Sequence, residues 1–250
     1  MDETQQLQDQ EYCFPYHYVT RFRGNFSQSF TDSWGANYAT TIEYVLSQLD
    51  GLDFNSIVDI GCGDGRLTRE MAIRYPDRLV LGIDYSPRAI RLAEAMNQDV
   101  ESANFMCCDI AQDKIEKRFD VAVLMEVFEH VPCERAASFL DGVRMLLRPG
   151  ADLLLTVPHV NKPVEPKHFR HFNVATLREQ LEDHFDILSV VPFERISIMR
   201  TILAKTLHNG LFSLTSRRAL NWIYSYQKDH LFRCSDESEC QRIFVHARAR

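Results

Sequence analysis

The sequence predicts an α/β fold: a doubly wound, mostly parallel seven-stranded sheet with an N-terminal helical cap and a helical insertion before the last strand. Three observations predict it. From Ser56 onward, short continuous Val/Ile/Leu runs alternate with segments of helical periodicity, the pattern of parallel strands covered on both faces. The first run leads through "GCGDG" directly into the first helix. A chain of 250 residues with 45% hydrophobic side chains is also long enough for one large core.

Taken in order, residues 1 to about 12 are polar and acidic and read as disordered, neither a secretory signal nor a basic transit peptide. An aromatic-rich stretch follows, ending in an amphipathic helix around Tyr38 to Leu49. "SIVDIG" then reads as a strand, "RLTREMAIRY" as a helix, and "RLVLGID" as a strand. Ser86 as N-cap and Pro87 at the first helical position open the next helix, "SPRAIRLAEAMN". "ANFMCCD" and the very apolar "FDVAVLM" are strands, and "CERAASFLDGVRMLL" is a helix closed by "RPG". "ADLLLTVP" is a strand, "TLREQLEDHF" a helix, "DILSVV" a strand and "RIFVHARA" the last strand. The implied division is 1–50 as tail and cap, 51–194 as core, 195–240 as helical insertion and 241–250 as the closing strand.

Composition narrows the function classes. A net charge of −7 argues against a protein that coats nucleic acid. Seven cysteines without a CxxC pair suit reduced thiols in the cytoplasm rather than a disulfide framework. No stretch approaches a membrane span. Residues 195–233 nevertheless hold seven Lys or Arg against one acid, Asp229. That insertion, with Trp222, Tyr224 and Tyr226, fits a lid over the substrate, a dimer contact or a peripheral membrane contact. The oligomeric state stays open.

Gly61, Gly63 and Gly65 let the backbone turn sharply and approach a cofactor. The spacing is GxGxG, and Arg66 stands where a dinucleotide fingerprint wants its third glycine. Asp84 ends the second strand, the place for a carboxylate that accepts from ribose hydroxyls. With these motifs the segment from about Ser56 to Val160 resembles the class I S-adenosylmethionine-dependent methyltransferases. The resemblance implies S-adenosylmethionine as cofactor. Asp59, Gly61, Gly63 and Gly65 would surround its methionine end, Asp84 its ribose, and Tyr85, Asp109 and Ile110 its adenine. Met125 would lie near the methyl group.

"LMEVFEHVP", residues 124–132, then ends the fourth strand at the edge where a methyl group would be transferred. Positions i, i+3 and i+4 share one face of a helical turn, so Glu126, Glu129 and His130 can converge. The loop after the fifth strand brings His159, His168 and His171 to the same edge. Three functional readings are open: His130, His171 or, from the N-terminal segment, His17 as general base; Glu126, Glu129, His130 and His171 as ligands of a divalent metal such as Mn, Mg, Zn or Fe; or Glu126 or Glu129 as a substrate contact. The bland alternative is a helix-dipole glutamate and a loop-ending histidine. The Glu-x-x-Glu-His step is similar to that of ubiquinone-biosynthesis O-methyltransferases and of Hen1-type RNA 3′-terminal 2′-O-methyltransferases, which implies the metal set in the second case. "HFRHF" lacks the aspartate-histidine and tryptophan pattern of the RNA enzymes. The expected activity is O-methylation of a small-molecule, sugar or quinol-like hydroxyl, with metal-dependent RNA methylation as the alternative. The expected partner is a small-molecule or glycan acceptor, and RNA is a weaker fit. The same resemblance implies that Tyr16, His17, Tyr18, Arg21 and Arg23 form one wall of the acceptor pocket, and the alternative is that these aromatics cover the core.

Overall fold

The computed structural model describes residues 3–11, 21–23, 25–27, 33–113, 115–209 and 211–250. His17, Tyr16 and Tyr18 lie outside them, as do the side chains of Arg21 and Arg23. Two compact units divide the chain: Met1–Phe14, Leu52–Val191 and Arg242–Arg250 form the first, and Pro15–Gly51 with Pro192–Gln241 form the second.

The first unit opens with a helix, α1 (Glu3–Glu11), where the sequence reads as disordered. Its Glu, Gln and Leu residues are good helix formers, and Glu3 in the first turn suits the helix dipole. Two short strands of the second unit, β1 (Arg21–Arg23) and β2 (Asn25–Ser27), pair antiparallel before α2 (Ser33–Leu49). The alternating units follow: β3 (Ser56–Ile60), α3 (Arg66–Arg74), β4 (Leu79–Asp84), α4 (Pro87–Met96), β5 (Ala103–Cys107), β6 (Phe119–Met125), α5 (Ala136–Leu146), β7 (Leu147–Pro158), α6 (Val174–Leu181) and β8 (Phe185–Arg195). Helices α7 (Ile198–Leu207) and α8 (Arg217–Tyr226) precede β9 (Cys240–Ala249).

The seven-stranded sheet has the order β5-β4-β3-β6-β7-β9-β8. Neighbours from β5 through β7 run parallel, and β9 runs antiparallel to β7. Continuous apolar runs make the central strands: β3 is buried throughout, and in β6 the inner residues Val121 to Leu124 are. The chain order reverses between β3 and β6, so the carboxyl ends of these two strands flank the crevice in which an open α/β sheet binds its ligand. Helix starts are fixed locally. Ser86 Oγ accepts from Ala89 N at 3.2 Å to cap α4. Asn173 and Thr176 form a reciprocal capping box that starts α6, a device worth about 1 kcal/mol.

Three strands are longer than the sequence reads, β9 by the two residues Cys240 and Gln241. The "RPG" turn does not end the pairing, because Gly150 at φ +77° lets the backbone swing while β7 continues back to Leu147 opposite Phe119. Strand β8 also runs on to Arg195.

In the second unit, Tyr44, Phe193 and Phe232 pack with ring centroids 5.0 to 5.8 Å apart. The half-buried Arg200 guanidinium bonds Asn37 Oδ1, Glu194 Oε1 and the Leu231 carbonyl. Among the described residues only Glu126 and Glu194 combine a side chain with positive φ, and each carboxylate is held by an arginine.

Candidate active site

Three turns converge at the crevice. The glycine loop leaves β3 with Gly61 N and Cys62 N both donating to the Ile83 carbonyl, at 2.7 and 3.0 Å. Gly61 has φ +74°, and a Cβ there would meet Val127 Cγ2 at 2.6 Å, so only glycine lets the loop lie against the turn after β6. Gly63 N donates to Asp84 Oδ2 at 3.0 Å, and Ser86 N donates to Asp84 Oδ1 at 2.9 Å. These amides orient the Asp84 carboxylate at the end of β4. Gly65 caps α3 in the left-handed conformation. Asp59 lies buried beneath the loop and accepts from Thr68 Oγ1 at 2.6 Å. Burial pushes its carboxyl up to about 7, Thr68 opposes the rise, and the charge of Asp84 adds to it.

A cleft opens here. Gly61, Asp84, Tyr85, Asp109 and Ile110 line it, together with Gln5 of α1 and His130. Met125 ends β6 half-buried and is not among the lining residues. The Asp109 carboxylate is engaged by Arg135 at 2.6 Å and by Gln112 at 2.8 Å.

The second turn is Glu126 to His130. Glu126, at φ +58°, accepts from Thr156 Oγ1 at 3.0 Å and from Arg242 Nε at 2.7 Å. Phe128 to His130 form one 3-10 turn. Phe128 is fully buried and stacks on Phe172 at 5.3 Å. Glu129 is fully buried too, and neither carboxylate oxygen has a hydrogen-bond partner among the described residues. Burial, reinforced by the charge of Glu126, pushes its carboxyl well above the usual range.

The third turn is the loop from His159 to Asn173. Phe172 N donates to the Pro158 carbonyl, Val160 N to Phe172, and Phe169 N to the Glu129 carbonyl at 2.9 Å. With the Phe128–Phe172 stack, these bonds pin the histidine loop onto the glutamate turn. Arg170 covers both rings, its guanidinium carbon 4.9 Å from the Phe128 centroid and 5.3 Å from that of Phe172.

Backbone carbonyls fix the imidazole tautomers, because a carbonyl only accepts. His130 Nδ1 donates to the Lys167 carbonyl at 2.9 Å, which leaves the lone pair on Nε2. His171 Nδ1 donates to the Lys162 carbonyl at 2.9 Å. His171 Nε2 therefore accepts from His168 Nδ1 at 2.7 Å, and the lone pair of His168 lies on Nε2. Burial pushes the His168 imidazole down to about 3, with His130 adding to the fall, and also lowers His171. Glu129, His130 and His168 each offer a ligand atom within 4.8 Å of the others.

The expected four-residue set is thus rearranged. Glu129 and His130 converge, but His168 completes the trio. His171 backs His168, and Glu126 is committed to Arg242 and Thr156. His168 belongs to an H-x-R-x-F pattern that marks the segment without saying which histidine faces inward. Arg242 shows in the sequence only as a charge opening an otherwise buried strand.

Residues 57–150 match the model of a methyltransferase domain. The ubiquinone biosynthesis O-methyltransferase of Alkalilimnicola ehrlichii is 34% identical over 123 residues, 48% of this chain and 48% of that protein. Its counterpart in Leptothrix cholodnii is 33% identical over 132 residues, 51% and 52% of the two chains. The chain spans about half the length of the curated relatives it matches. Among solved structures, the N-methyltransferase NodS of Bradyrhizobium japonicum with S-adenosyl-L-homocysteine superposes with a TM-score of 0.64 at 16% identity, over 99% of each chain. Magnesium protoporphyrin IX methyltransferase of Synechocystis with bound S-adenosylmethionine superposes at 0.62 and 19% identity, over 100% of this chain and 98% of that one. The fold is thus that of S-adenosylmethionine-dependent methyltransferases, and residues 57–150 match a methyltransferase domain.

Proposed function

We propose that the chain transfers the methyl group of S-adenosylmethionine to a hydroxyl of a small-molecule, sugar or quinol-like acceptor. The observation that carries this reading is the placement of His130 in the same cleft as Gly61, Asp84, Tyr85 and Ile110. The kinship with O-methyltransferases over about half the chain supports oxygen as the atom methylated. Asp84, oriented by the amides of Gly63 and Ser86, accepts from the ribose hydroxyls. Tyr85 and Ile110 flank the base. The acceptor oxygen attacks the methyl carbon, a C–O bond forms as the C–S bond breaks, and the hydroxyl proton passes to His130 Nε2. The Lys167 carbonyl holds His130 in the tautomer that can take it.

The partnerless, buried Glu129 carboxylate supports a second role for the same turn: Glu129, His130 and His168 holding a divalent cation. The residues fit such a group. A carboxylate and two imidazoles suit Mn, Fe, Co or Zn, and each imidazole donates its other N–H to a fixed acceptor, as metal-bound histidines do. When bound, a cation there supplies Lewis acidity that lowers the pKa of the acceptor hydroxyl. RNA 3′-end methylation, which asks Glu126 and His171 to join the set, loses that basis here.

Calorimetry with S-adenosylhomocysteine and labelled methyl transfer to a panel of hydroxylated acceptors test the reading. His130→Ala is expected to keep S-adenosylhomocysteine binding and lose turnover by about a hundredfold or more. No binding of S-adenosylhomocysteine by the parent protein would overturn it. Elemental analysis and Mn or Zn titration calorimetry, repeated on Glu129→Gln, decide between proton acceptor and ligand for His130. Stoichiometric metal that disappears in Glu129→Gln makes it a ligand, and none in the parent makes it the base.

A further inference from the structure

The second unit carries a feature that methyl transfer does not use. Seven of the fourteen large hydrophobic side chains exposed among the described residues fall between Ile196 and Trp222. Helix α7 is apolar on both sides. Leu203 and Leu207 face inward and join a small core with Ile223 and Leu231. Ile198 and Ile202, one turn apart, point outward at 83% and 50% exposure. A helix that fills a core with one face and still presents isoleucines on the other has a second apolar environment to meet.

The loop after α7 continues this surface. Asn209 Oδ1 accepts from the amides of Leu211 and Phe212, at 2.9 and 3.0 Å, and so fixes the turn that presents them. Leu211 is 93% exposed. Trp222 on α8 stands more than half exposed and stacks on Tyr226 at 5.5 Å.

Charge identifies what the surface meets. The chain holds 35 acids, yet none between residues 195 and 228. Arg195, Arg200 and Lys228 are neutralised by Glu239, Glu194 and Glu43. Lys205, Arg217 and Arg218 have no carboxylate partner among the described residues. Arg217 and Arg218 open α8, the end where the helix dipole disfavours cations, so helix stability does not account for them.

We propose that α7, the following loop and α8 form a surface that adsorbs to anionic lipid bilayers. Ile198, Ile202, Leu211, Phe212 and Trp222 enter the interfacial layer, and Lys205, Arg217 and Arg218 meet lipid phosphates. Aliphatic side chains and a tryptophan interleaved with cations, and no acids, are what an interfacial surface requires. The full chain is tested by co-sedimentation with vesicles of phosphatidylcholine alone and of phosphatidylcholine mixed with phosphatidylglycerol, at low and high salt. Binding to the anionic vesicles, weakened by salt, is expected. Ile202→Asp with Leu211→Asp is expected to weaken it about tenfold or more. Arg217→Gln with Arg218→Gln is expected to weaken it about fivefold per cation. S-adenosylhomocysteine affinity, read on each variant, is expected to stay at the parent value and shows that the first unit is intact. The proposal is overturned if the parent does not sediment with anionic vesicles at low salt, or if the double-aspartate variant binds as the parent does. It is equally overturned if the parent self-associates without lipid and those aspartates abolish that association, since a second copy then covers the face.

Discussion

Gly61→Ala tests the contact between the glycine loop and the turn after β6. The new Cβ would lie 2.6 Å from Val127 Cγ2, 2.7 Å from Cγ1 and 3.3 Å from Cβ. Val127 is β-branched, so its methyls cannot swing away by a low-cost rotation. Two costs follow: about 1–2 kcal/mol for an alanine at φ +74°, and about 1–3 kcal/mol for the overpacking. The expected loss, about 2–5 kcal/mol, is measured by urea unfolding with S-adenosylhomocysteine affinity recorded in parallel. Val127→Ala removes both clashing methyls and is the second corner of a double-mutant cycle. The overpacking share, about 1–3 kcal/mol, should return as favourable coupling while the backbone cost remains. Additivity of the two substitutions within about 0.5 kcal/mol would refute the argument, because Val127 would then not be what excludes a side chain at residue 61.

Further outcomes are expected elsewhere in the first unit. Arg242→Met should destabilise by about 2–4 kcal/mol, since it leaves the Glu126 carboxylate with Thr156 alone beside Glu129. Arg242→Lys should recover part of that loss in the same urea titration, and a change below about 0.5 kcal/mol for Arg242→Met would mean the pair is not formed. Asp59 gives a pH signature. Its carboxyl rises on folding from 3.8 to about 7, so the folded protein binds the extra proton between those values. That contribution favours the folded state least at high pH: it penalises folding progressively as pH rises from about 4 and fully above about 7, by roughly 4 kcal/mol at most. Asp59→Asn should therefore flatten the fall in stability between about pH 4 and 7, and an unchanged slope would count against burial of an ionisable group there. Replacing His171 by Phe leaves His168 Nδ1 without its acceptor, and should weaken any Mn or Zn binding about tenfold or more in titration calorimetry without displacing a ligand.

Much of this was readable from local pattern. β6 matches its apolar run from Phe119 to Met125, and α4 begins where Ser86 and Pro87 place it. Gly61, Asp84, Tyr85, Asp109 and Ile110 reach one cleft because each follows or ends a strand at its carboxyl end in a parallel sheet, a placement that alternation alone dictates. The partners of the glutamate turn were not readable. Arg242 and Glu126 are 116 residues apart, and β9 meets β7 only in the folded sheet. The choice of His168 over His171 depends on the Lys162 and Lys167 carbonyls, which orient the imidazoles through backbone geometry that no residue type announces. The helix at Glu3–Glu11 was missed because a polar, acidic composition describes a solvated helix as well as an unfolded tail.

The return of β9 between β7 and β8 has a consequence for how the chain is made. Everything from Pro192 to Gln241 must be synthesised before Arg242 to Arg250 can dock on β7. Until then β7 presents the row of unpaired amides and carbonyls that β9 later covers, along one of the most apolar strands of the molecule. Such an open edge is the kind of surface through which partly folded chains aggregate. Closing the sheet across so long an excursion is a late, entropically costly step. It is also the step that delivers Arg242 to Glu126, so the candidate active site matures with the last strand rather than with the cofactor loop that precedes it in sequence.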